Sequence, residues 1–174
     1  MNSKDAQEAA RSSSEVLRNL VSSEEPTPLL ELQVVREHPD AVLPSYGQRG
    51  DAGLDLHSVE SLTLAPFERK LIATGIRVAI PEGYAGLILP RSGYALKHGL
   101  SIVNAPGLID SNYRGEIAVI AYNSDPQKSI EIQVKDRVAQ LLIQKVPLVK
   151  VLDSAPSDLS ETLRGQKGFG SSGR

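Results

Sequence analysis

No cysteine occurs anywhere in the 174 residues, which removes disulfides, thiolate metal sites and a cysteine nucleophile together and fits a reducing compartment. Histidine is nearly as scarce. His38, His57 and His98 are scattered without metal-ligand spacing, which argues against a zinc site. No apolar run approaches the length needed to cross a bilayer, and the N-terminus has neither a signal-peptide core nor an acid-poor, Arg-rich transit composition. A cytoplasmic protein without a membrane partner is the expectation. Positive charge is not in excess either: 19 basic and 21 acidic residues leave a formal net charge of −2, so the basic field that drives non-specific nucleic-acid binding is missing. No nucleic-acid partner is expected, and any polyanion bound here must be small and held locally.

What is present divides into three textures. Residues 1–28 form an appendage that carries three basic and five acidic residues, so the whole net charge sits there. Asp5 followed by Glu8 resembles a capping pair, and Ala10, Ser13, Leu17 and Leu20 recur at helical spacing, which allows one short helix. An isolated helix of this length is marginal in water. Residues 29–155 change to short alternating runs broken by Gly, Pro and Asp. The runs at 32–34, 62–64, 76–80, 85–89, 117–121, 130–134 and 149–151 read as strands, with turns at 81–83, 105–107 and 123–126. Many short strands need a facing sheet to hide their apolar sides, so a β-sandwich or barrel is predicted. There is no βαβ rhythm, which disfavours nucleotide folds of the Rossmann or P-loop type. Residues 156–174 end the chain as an arm, Gly- and Ser-rich from residue 165 onward but carrying Phe169 and the cations Arg164, Lys167 and Arg174. Such a stretch fits a disordered tail, or a lid whose backbone N–H groups wrap phosphates while the ring covers a base.

Chemistry concentrates in residues 103–117, VNAPGLIDSNYRGEI. A carboxylate, an aromatic ring, a guanidinium and an amide stand between turn-forming Pro and Gly, an arrangement that builds either a solvated hairpin loop or a pocket wall. Three more segments resemble it in placing polar groups among apolar ones. DAGLDLHS at 51–58 sets Asp55 in an apolar strand, where an unpaired carboxylate is costly. PRSGYA at 90–95 joins a cation, a hydroxyl and a glycine directly after a strand, and DRVAQLLI at 136–143 puts Gln140 where an apolar residue is expected. Each alone is explained as well by ion pairing, a buried hydrogen bond or a turn as by catalysis.

In this order and at this spacing the four segments and the C-terminal arm resemble the homotrimeric dUTPase family, the deoxyuridine 5′-triphosphate nucleotidohydrolases, from about residue 44 to residue 173. The resemblance implies an all-β, jelly-roll-like β-barrel assembled as a homotrimer, the arm of one subunit closing a site built by the other two. It implies hydrolysis of dUTP to dUMP and pyrophosphate by water attack at the α-phosphorus, which keeps uracil out of DNA and supplies dUMP for dTMP synthesis. Mg2+ is the implied cofactor, held by the triphosphate and waters with no direct protein ligand. Asp110 matches the carboxylate that activates the water, Gln140 the amide of the phosphate and water network, and Asp55 a carboxylate tied to the metal-hydration network. Arg91, Ser92 and Gly93 match phosphate-binding positions. Asn104 and Gly107 match the uracil-reading hairpin, and Tyr113 the ring under the deoxyribose. Arg164 matches a γ-phosphate ligand, Phe169 the ring that stacks on uracil, and Gly170, Ser171 and Ser172 the phosphate wrap. Arg114 has no matched role, and a structural ion pair is expected for it. Two other readings stand beside this one: a dCTP deaminase or bifunctional dCTP deaminase and dUTPase on the same fold, and a non-catalytic regulatory binding module.

Overall fold

The computed structural model describes residues 29–163 together with 165 and 166. Residues 1–28, Arg164 and residues 167–174 lie outside the described residues, and with them the helix expected in the appendage. In chain order the described residues form β1 (Gln33–Arg36), β2 (Ser45–Tyr46), β3 (Leu54–His57), β4 (Leu62–Leu64), β5 (Arg69–Ala79) and β6 (Tyr84–Leu89), followed by a short helix α1 (Ser92–His98). Then come β7 (Leu100–Ile102), β8 (Gly107–Ile109), β9 (Glu116–Asn123), β10 (Ile130–Ile132) and β11 (Arg137–Lys145), with a single 3-10 turn at Pro156–Asp158. No helix among the described residues is long and apolar enough to cross a membrane.

The strands pair antiparallel in three sheets, in the orders β2-β3-β11-β6-β8, β1-β5-β9-β7 and β10-β4. Alternation explains why each strand has a buried side: in β9, Ile117, Val119 and Ala121 are fully buried while Ala118 and Ile120 between them stay partly exposed. The buried faces of all three sheets meet in one apolar cluster, to which Leu56 and Leu141 come from the first sheet, Ile72 and Val119 from the second, and Leu64 and Ile132 from the third. The expected jelly-roll-like β-barrel is not what forms. Among the described residues no sheet closes on itself, because β2 and β8 remain edges of the five-stranded sheet and β1 and β7 edges of the four-stranded one. Pro44 directly precedes β2 and Pro106 directly precedes β8, and proline has no N–H with which to extend a ladder across those edges. The run at 149–151, read as a strand, also forms none; Val149 and Val151 are 71% and 88% exposed.

Two local features position the site. Residues 103–117 do not make a hairpin between paired strands. β7 pairs with β9 and β8 pairs with β6, so the chain crosses from the edge of one sheet to the edge of the other and back. Tight turns carry the crossings, closed by Ala105 N–H to Ile102 O at 3.2 Å and Tyr113 N–H to Asp110 O at 3.1 Å. The second feature lies in β11, where the register with β3 shifts between Arg137 and Ala139. Arg137 and Gln140 are three residues apart and would face opposite sides of a regular strand. The inserted residue, Val138, changes the parity. Arg137 pairs with His57 and Gln140 with Asp55, placing four polar side chains on one face, while Val138 and Ala139 are both buried in the core.

Candidate active site

Asp55 is the centre of the polar face. Its carboxylate is only 12% exposed and lies between two guanidiniums, with Arg91 Nε 3.0 Å from Oδ1 and Arg137 Nη1 3.2 Å from Oδ2. Burying that charge is tolerable because it is paired on both sides. Arg91 also donates from Nη1 to the Arg137 backbone carbonyl at 3.2 Å. It stands at the N-cap of α1, where its side chain makes no cap hydrogen bond and turns back to Asp55 instead. Gln140 fills the space beside them, its Nε2 donating to Pro90 O at 3.0 Å. With Ser92, Gly93, Tyr94, Lys97 and His98 of α1, these residues line a cleft of about 650 Å³. Arg91, Arg137 and Lys97 give it a cationic wall.

Beside this cleft, His57 has its Nδ1 buried with no hydrogen-bond partner among the described residues. Burial pushes its pKa down, Asp55 opposes this, and the nearby Arg137 and Arg91 push it further down. The charged imidazolium is therefore disfavoured. Burial, assisted by Asp136, raises the phenol of Tyr94, whose ring packs edge-on to His98 with centroids 5.0 Å apart.

Part of the segment 103–117 faces a different space. Asp110, Ser111, Asn112 and Arg114 line a second cleft of about 880 Å³ with Glu31, Glu82 and Tyr84. The Asp110 carboxylate is exposed, and among the described residues it makes neither an ion pair nor a side-chain hydrogen bond. Tyr113 donates its hydroxyl to Glu116 O at 3.0 Å, and its ring folds over Gly115 so closely that a Cβ there would lie 2.3 Å from the hydroxyl oxygen. Glu116 anchors the return crossing, accepting at Oε1 from Gly75 N–H at 2.8 Å. Asn104 is exposed and Gly107 buried beneath it, where a Cβ would stand 3.2 Å from Asn104 Nδ2. Arg114 makes no ion pair among the described residues, contrary to expectation. It donates instead to the carbonyls of Ser111 and Tyr113 at 2.6 and 2.7 Å, buttressing the turn.

One chain thus brings Asp55, Arg91, Ser92, Gly93 and Gln140 together in one cleft and places Asp110 in another. Arg164, Phe169, Gly170, Ser171 and Ser172 lie outside the described residues. Arg137 is the cleft residue that motif reading passed over. Its signal in the sequence was adjacency to Gln140, but the strand parity that brings the two together depends on the bulge. No three His, Asp or Glu side chains among the described residues are arranged to hold a metal ion, and the buried carboxylate is already taken by two guanidiniums. That donor set fits a cation held by phosphates and water better than one held by a protein cage.

The comparisons agree with this geometry. The family model described as dUTPase matches residues 40–173. A deoxyuridine 5′-triphosphate nucleotidohydrolase of Corynebacterium glutamicum is 49% identical over 148 residues, 85% of this chain and 98% of that protein. The same enzyme of Mycobacterium leprae is 52% identical over 145 residues, 82% of this chain and 94% of the other. Among solved structures, the dUTPase of Staphylococcus bacteriophage 80alpha with dUPNHPP superposes with a TM-score of 0.75 at 33% identity, covering 83% of this chain and 99% of that one. On its sequence, its strand order and the contents of its cleft, the chain belongs to the dUTPase family.

Proposed function

We propose that this protein hydrolyses dUTP to dUMP and pyrophosphate as an oligomeric dUTP diphosphatase. The observation that carries the reading is the cleft in which Asp55, Arg91, Ser92 and Gln140 converge, a constellation suited to phosphates more than to a base. Attack of water on a phosphate ester is catalysed chiefly by positioning and charge neutralisation. In this reading Arg91 and Ser92 hold the phosphate chain, and Gln140 and Asp55 order the waters around it. Asp110 takes a proton from the attacking water as its oxygen bonds to the α-phosphorus. The bond to the bridging oxygen breaks and pyrophosphate leaves. Mg2+ held by the triphosphate would supply further neutralisation of the phosphate charge, and Asp55 would accept hydrogen bonds from the waters it carries.

Asp110 does not line the cleft that holds Asp55, Arg91, Ser92 and Gln140, which supports a site completed between subunits. We assign the phosphate half to one subunit of a homotrimer and the nucleoside half, with Asn104, Gly107, Tyr113 and Asp110, to its neighbour. The arm of residues 156–174 would come from the third and bring Arg164, Phe169, Gly170, Ser171 and Ser172 over the substrate. Residues 29–155 form the folded domain and residues 1–28 an appendage. The protein is assigned to the cytoplasm on its cysteine-free composition.

Pyrophosphate release from dUTP, dTTP, dCTP and UTP in the presence of Mg2+ tests reaction, base choice and sugar choice together. Turnover confined to dUTP is expected. Uracil products from dCTP would instead identify a deaminase, and no turnover of any nucleotide a binding module.

A further inference from the structure

Gly53 immediately precedes β3 and lies two residues before Asp55, hence on the same face of the strand. The register that pairs Asp55 with Gln140 and Leu54 with Leu141 puts Gly53 diagonally beside the Gln140 side chain. A Cβ built on Gly53 would stand 2.6 Å from Gln140 Oε1, 3.1 Å from its Cβ and 3.2 Å from its Cδ. Contacts of that kind between heavy atoms normally begin near 3.5 Å, so the carboxamide lies flat against the bare α-carbon. The open side of the amide is the cleft it lines. Gln140 sits on the central strand β11 between Asp55 of β3 and Leu89 of β6, and its Nε2 is tied to Pro90 O. The backbone of Gly53 does not occupy the left-handed region, so an alanine would be accepted by the main chain and opposed by Gln140, most severely by its amide oxygen and more mildly by its Cβ, which Gln140→Ala retains.

From this contact we infer that Gly53 is a positioning residue. The missing side chain is the slot that holds Gln140 in the orientation the reaction uses, with Nε2 on Pro90 O and Oε1 turned towards Gly53. The inference rests on the reading of Gln140 as part of the phosphate and water network. A methyl group at residue 53 would displace the amide, break its bond to Pro90 and swing it into the cleft. A displacement of about 1 Å in a positioning group can cost up to about 100-fold in rate.

The test is a double-mutant cycle read by steady-state kinetics on dUTP, thermal melting and binding of a non-hydrolysable dUTP analogue, using Gly53→Ala, Gln140→Ala and the pair. Gly53→Ala is expected to lower kcat by at least about tenfold, with a smaller change in KM and a melting temperature close to that of the parent. In the Gln140→Ala background the same glycine substitution should cost less than about twofold, since the amide it displaces is gone. Should Gly53→Ala fail to fold, the double variant, which lacks the clashing amide, is expected to fold. Full activity of Gly53→Ala, multiplicative losses in the pair, or a double variant that also fails to fold would each overturn the inference. Parental activity in Gln140→Ala would instead remove the role of Gln140 itself, and Gly53 would have nothing to position.

Discussion

At the scale of single residues, the two carboxylates singled out by sequence have opposite surroundings. Asp55 is buried and paired twice, which suits a fixed electrostatic element. Asp110 is exposed and without a side-chain partner among the described residues, which suits a group that must accept a proton. Asp110→Asn is therefore expected to lower kcat by about 10²- to 10⁴-fold, the usual contribution of a positioned base, while calorimetric binding of a non-hydrolysable dUTP analogue stays within a few-fold of the parent. Near-normal turnover would remove Asp110 as the base. His57 supplies a second expectation. Its folded pKa lies below the ordinary value of 6.5, so above that pH neither state carries the proton and stability does not depend on this group. As pH falls below about 6.5 the unfolded chain takes up the proton first, and stability declines until the folded value is reached. Burial is the main cause of the downward shift; of the charges that face the ring, Asp55 opposes it while Arg137 and Arg91 reinforce it. Melting between about pH 8 and pH 5 should fall less steeply in His57→Gln than in the parent; parallel curves would exclude the imidazole as the cause.

At the scale of elements, the turn after β9 is held by a side chain inside the core. Asn123 is fully buried and its Nδ2 donates to Leu64 O, Ala65 O and Lys128 O at 3.1, 3.1 and 2.8 Å, while Oδ1 accepts from Asp125 N–H at 2.9 Å. Asn123→Ala removes the donor from the buried Leu64 carbonyl and from the part-buried carbonyls of Ala65 and Lys128 and should destabilise the fold by about 1–3 kcal/mol, measurable by urea denaturation; a loss below about 0.5 kcal/mol would mean that water replaces the amide. The sequence run containing Asn123 was legible only as a turn, because nothing local distinguishes an inward amide from an outward one. Strands whose alternation matches a buried face, such as Leu62–Leu64 and Glu116–Asn123, could be read directly. The helix Ser92–His98 could not. It buries none of its residues, so it has no apolar stripe to betray it. The partnership of Arg137 with Asp55 was hidden for a different reason, since a one-residue bulge reverses which face the side chain takes.

At the scale of the molecule, alternation specifies which side of each strand is buried but not which edges meet. The sequence therefore led to a barrel where the chain forms open sheets sharing a core. The alternating run at 149–151 failed similarly. It finds no partner strand among the described residues, and Leu148, Val149, Val151 and Leu152 are left between 67% and 103% exposed, a surface that a lone subunit does not ordinarily present. The same incompleteness reaches the chemistry, because Asp110 faces a different cleft from Asp55, Arg91 and Gln140. On the proposed assignment of the two halves to neighbouring subunits, each chain is both a donor and a recipient in genetic terms. Two impaired variants, Asp110→Asn and Gln140→Ala, when unfolded together in equal amounts and refolded as mixed oligomers, should complement one another and restore about a quarter of the sites. Separately refolded controls should stay at their own low rates. If mixing restored nothing, the two halves would belong to one chain; if it succeeds, a defective copy of this gene product would act as a poison or a cure depending on which half it had lost.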